Sequence, residues 1–134
     1  MKFCHLVTTF SFSTLLLFAP MAFAQQVVPG QPVSATGTSG GTVNSGDCGY
    51  IADSPNHTIE VTEDLPYWRI TVQTTGKPTL LIQGPVGRYC VLPTGSGGTL
   101  QFSGYATQGT YQLFVGDRDQ GQHRYQLSIS DQRE

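Results

Sequence analysis

Charged side chains are scarce in this chain. They make up 12% of its 134 residues, about half the usual share. No basic run exists, and the formal net charge is −2. Such a chain lacks the electrostatic footprint for nucleic acid or an anionic membrane surface. Cysteine is nearly absent too, with three residues, which excludes both a disulfide-dense scaffold and a cysteine-based zinc centre. No H-E-x-x-H metalloprotease signature is present. Nor does any stretch outside the N-terminal segment carry the apolar period of a helix.

What remains is rich in Gly, Thr, Gln and Ser. Sixteen Gly and eight Pro in so short a chain point to short strands joined by turns. One ordinary domain is all this length allows.

Residues 1–24 have the order of a secretory signal peptide. Lys2 supplies the positive start, Leu15-Leu16-Leu17-Phe18-Ala19 the apolar core, and Ala22-Phe23-Ala24 the small-residue cleavage site before Gln25. The expected location is therefore secreted, or periplasmic and cell envelope, with no membrane span in the mature chain. Cleavage would leave six basic against nine acidic residues, a net charge of −3. It would also leave two cysteines, Cys48 and Cys90. In an oxidising compartment that pair reads as one disulfide. Closing a loop of about 43 residues is worth roughly 4 kcal/mol by chain entropy.

Residues 25–46 read as a flexible linker. Ten of the thirteen residues from Ser34 to Gly46 are Gly, Ser or Thr, and the only large apolar residues in the segment are Val27, Val28, Val33 and Val43. The folded domain is expected over 47–134. Its apolar pattern has a period of two. Trp68, Ile70 and Val72 alternate with Arg69, Thr71 and Gln73. Seven short strands follow from such runs, at 58–61, 67–73, 79–82, 88–92, 99–102, 111–115 and 125–129. Regular strands separated by Gly/Pro turns predict an all-β antiparallel sandwich. Its interior should gather Trp68, Ile70, Val72, Leu113, Val115, Leu127 and Ile129.

The order of three elements carries a resemblance. Leu80-Leu81-Ile82 runs into Gly84-Pro85-Val86-Gly87-Arg88. Gly109-Thr110-Tyr111-Gln112-Leu113-Phe114-Val115 follows, and then Tyr125-Gln126-Leu127-Ser128-Ile129. Over residues 57–130 this resembles the bacterial pre-peptidase C-terminal domain family. These are jelly-roll-like β-sandwiches attached to secreted proteases and other exported enzymes. The resemblance implies a non-catalytic accessory module. Its motifs are turns and core positions, which specify fold more than ligand. Two departures stand out: no catalytic domain accompanies it here, and the Cys48/Cys90 pair is an addition.

Several residues are candidates for binding. Tyr67, Tyr89 and Tyr105 could form an aromatic platform for a sugar or peptide. Asp117-Arg118-Asp119-Gln120-Gly121 opens like a calcium loop, with Asp117 and Asp119 as its ligands. No Glu follows before Arg124, and the first acid afterwards is Asp131, so the alternative is a polar hairpin turn. His57 and His123 stand at strand ends, and Ser54 with His57 is a local turn pattern rather than a triad. The expected function is a secreted, non-catalytic module binding a polysaccharide, a peptide or another exported protein. The alternative is a structural envelope or matrix protein without a specific ligand.

Overall fold

A computed structural model describes residues 24–95 and 97–133. The expected signal peptide, but for Ala24, lies outside these described residues. Every regular element among them is a strand. The eleven strands are β1 (Gln25–Val27), β2 (Val33–Thr38), β3 (Val43–Asn44), β4 (Tyr50–Ile51), β5 (His57–Val61), β6 (Leu65–Thr74), β7 (Pro78–Gly84), β8 (Gly87–Val91), β9 (Thr99–Ala106), β10 (Gly109–Asp117) and β11 (Arg124–Ser130). They form a sandwich of two sheets, one seven-stranded and one four-stranded.

The four-stranded sheet has the order β2-β11-β6-β9, antiparallel throughout. Its register follows from alternation. Ala35, Leu127, Val72 and Leu100 lie in one row across the strands, and Val33, Ile129, Ile70 and Phe102 in the next. These rows face the core; a slip of one residue would bury Gln126 and Ser128 instead. In the seven-stranded sheet β10 is central. It pairs with β7 on one side, and with β5 and then β4 on the other. The expected interior is present: Trp68, Ile70, Val72, Leu113, Val115, Leu127 and Ile129 all belong to one buried cluster. Trp68 sits against Tyr111, with ring centroids 5.0 Å apart.

The unbroken apolar run of β7 has a physical reason. Leu80 and Ile82 face the main core, whereas Leu81 faces a second one with Phe114, Cys48 and Ile51. The segment around β4 covers the outer surface of this sheet, so β7 is buried on both faces. The disulfide fastens that cover. Cys48 and Cys90 are bonded, with Cα atoms 5.6 Å apart. Beside the bridge, Arg88 donates from Nη1 and Nη2 to the two carboxylate oxygens of Asp47, at 2.9 and 2.7 Å. The guanidinium holds the Asp47 carboxyl below the usual carboxylate range.

The segment 25–46 differs from the linker expectation. It contributes β1, β2 and β3, and β2 is an edge of the four-stranded sheet. An edge strand can fold with little apolar surface of its own, since a neighbour supplies the packing. Here smallness is the requirement. Gly37 lies opposite Tyr125, and a Cβ on it would collide with the phenol. Beyond β2, Ser39 is fully buried, and its N–H donates to the His123 carbonyl at 2.8 Å. Gly40 N–H donates to the Val115 carbonyl at 2.9 Å.

Candidate functional site

The outer face of the four-stranded sheet is built by the same alternation that builds the core. On β9, Leu100 and Ala106 point inward, and Thr99, Gln101, Ser103 and Tyr105 are exposed. On β6 the register shifts between Leu65 and Trp68, an irregularity that lets Leu65 and Trp68 both be buried. Two intervening residues, Pro66 and Tyr67, bulge between them. Tyr67 thereby emerges on the outside, with Oη 3.3 Å from Ser103 Oγ. The Arg133 guanidinium lies 4.8 Å over its ring. Tyr105 is 58% exposed on the same face. Local desolvation and the nearby Asp64 carboxylate push its phenol pKa up.

Tyr67 and Tyr105 are therefore brought to one end of one sheet face. Tyr89 is not. It is 49% exposed on β8, an edge strand of the other sheet, paired opposite Ile82. Sequence spacing could not separate these cases, because sheet membership depends on topology rather than on local pattern.

The 117–121 loop is a hydrogen-bonded turn. Asp117 is fully buried, and its carboxylate accepts from protein donors. Asp119 N–H donates to Oδ1 at 2.9 Å, and Lys77 N–H to Oδ2 at 3.4 Å. His123 Nδ1 stands 2.9 Å from the same Oδ2. Gly76 leaves room for that pair, since a Cβ there would strike both side chains. Asp119 meets the Lys77 ammonium at 3.1 Å. Among the described residues, no group of three or more His, Cys, Asp or Glu side chains is arranged for a metal ion. The calcium expectation at Asp117 and Asp119 thus meets a site whose oxygens already face donors. His123 in this role was not legible in the sequence, because its partner lies six residues back across a turn.

The other histidine ties the two sheets together. His57 Nε2, on β5, stands 2.7 Å from Tyr125 Oη, on β11. Asn56 closes the same corner: its N–H donates to the Leu113 carbonyl, and its Oδ1 accepts from Val115 N–H at 2.8 Å. No helix among the described residues is long and apolar enough to cross a membrane.

No family model matches the chain. An uncharacterized protein of Synechococcus elongatus is 41% identical to it over 99 residues, a match covering 71% of this chain and 72% of that protein. Among solved structures, the pre-peptidase C-terminal domain of a collagenase from Bacillus anthracis is similar in fold. Its TM-score is 0.54 at 18% identity, and the match covers 80% of this chain and 94% of that domain. The chain belongs to the family of the Synechococcus elongatus protein, and its fold is that of a pre-peptidase C-terminal domain.

Proposed function

We propose that this family member is an exported, non-catalytic β-sandwich module that binds an extracellular polymer or another exported protein. The observation that carries the reading is the convergence of Tyr67 and Tyr105 on the outer face of the four-stranded sheet. Exposed aromatics gathered at one place are the usual anchors of recognition. Export is supported by the Cys48–Cys90 bridge, since such bonds persist in oxidising compartments. The fold likeness supports a module of the accessory kind, and function by fold alone is an analogy. Tyr89, standing on the other sheet, favours the second reading, a structural envelope or matrix protein without a specific ligand.

Co-sedimentation with insoluble extracellular material from the producing cells separates the two. A binding module is retained saturably, and the Tyr67→Ala/Tyr105→Ala variant is retained less while melting at nearly the same temperature. Retention that never saturates, or none at all, favours the structural reading.

A further inference from the structure

We infer that the outer face of the four-stranded sheet is a platform for an uncharged, hydroxyl-rich polysaccharide chain. This deepens the binding-module reading and rests on it. Charge is the first argument. None of the nine acidic residues lies on β2, β6, β9 or β11, and the only charged side chains on these strands are Arg69 and Arg124. The register puts those two at opposite ends of the face. Arg124 pairs with Thr38, and Arg69 pairs with Ser130 and Ser103. Along β11 the two ends are about 20 Å apart, room for a short run of sugar rings.

Between the ends lie two rows of neutral polar side chains. Thr36, Gln126, Gln73 and Thr99 form one row, and Ser34, Ser128, Thr71 and Gln101 form the other. Each carries a hydroxyl or a primary amide, and so offers both a donor and an acceptor. Sugar hydroxyls need both from a partner. No charge in these rows has to be stripped of water on contact. The surface is recessed, with open depressions of about 470 and 560 Å³ over Thr36, Gln73 and Gln126. At the Arg69 end Tyr105 offers an exposed ring for the apolar face of a sugar.

The same rows argue against other occupants. Protein interfaces draw their affinity from buried aromatic, aliphatic or Arg anchors, and the two central rows contain none. Nucleic acid requires clustered cations, and two Arg at opposite ends do not supply them.

Affinity electrophoresis in native gels containing hydroxyethylcellulose, dextran or soluble starch tests the inference, with polygalacturonate and gelatin as comparison polymers. Retardation by at least one of the three neutral polymers, persisting at high salt, is expected. In the Gln73→Ala/Gln126→Ala variant the affinity should fall about tenfold, the worth of one or two net hydrogen bonds. Its melting temperature should not change. Glu60→Gln, an exposed position on the other sheet, should leave retardation intact. Three results each overturn the inference: no retardation by any neutral polymer, retardation by polygalacturonate or gelatin alone, or retardation unaffected by the double variant. If retention on cell material survives but is abolished by prior protease treatment of that material, the module reading stands and the polysaccharide inference falls.

Discussion

His57 and Tyr125 belong to different sheets, yet Nε2 of one lies 2.7 Å from Oη of the other and their rings meet edge to face at 5.8 Å. Both groups are held neutral. Burial lowers the His57 pKa from its ordinary 6.5. Burial also pushes the Tyr125 phenol from 10 up to about 12, against a smaller opposing hydrogen bond from Asn56. The signs differ. Below about pH 6.5 the unfolded chain gains a proton on His57 that the folded chain resists, so stability falls as pH drops through that value. Above pH 10 the unfolded chain loses the Tyr125 proton first, so stability falls again toward pH 12, by on the order of 2 kcal/mol after partial solvent screening. A plot of melting temperature against pH should show both losses. Tyr125→Phe should remove most of the alkaline one; an unchanged alkaline limb would show that other groups cause it.

The disulfide closes a long loop over the second core, so its removal should be felt globally. Cys48→Ala/Cys90→Ala is expected to cost up to about 4 kcal/mol. Denaturant unfolding with and without reductant measures the same quantity on the unaltered protein. The Arg88–Asp47 pair is solvent-exposed and cannot replace the bond, so near-equal midpoints in both states would refute this account.

Leu127 and Gln126 are adjacent in β11 and face opposite ways. Leu127→Ala should cost about 2–5 kcal/mol, because it empties space in the main core. Gln126→Ala should leave the unfolding midpoint almost unmoved while weakening binding on the outer face. Similar small losses from both would mean that the inward face is misassigned.

Gly37 tests the edge strand. Gly37→Val brings branched carbons against the Tyr125 phenol, which costs about 1–3 kcal/mol. Deleting residues 25–38 should cost more, as it removes Val33 and Ala35 and uncovers Ile129 and Leu127 opposite them. A deletion that leaves the midpoint unchanged would return this segment to the status of a linker.

The contrast between β6 and β2 shows what sequence can carry. In β6 the alternation of Trp68, Ile70 and Val72 with polar residues is enough to specify both the strand and its buried face. The same holds for β10 and β11, whose apolar positions meet where periodicity puts them. In β2 the inward residues are Val33, Ala35 and Gly37, too small to make a pattern, and its composition is that of a linker. Only the partner strand, some ninety residues later, explains them. The candidate site divides in the same manner. The outward placement of Tyr67 follows from its place beside Trp68 in an alternating strand, but the separation of Tyr89 from it follows from which sheet β8 joins.

The position of β11 has a consequence for the life of the chain. It follows every other strand among the described residues, and it lies inside its sheet between β2 and β6. Until it emerges, β2 has no neighbour to pair with, and the sheet cannot be assembled in the order of synthesis. Contacts this distant in sequence also form slowly. A chain in which β11 has not yet emerged therefore lacks the strand that joins β2 to β6, and this sheet closes only when β11 is in place.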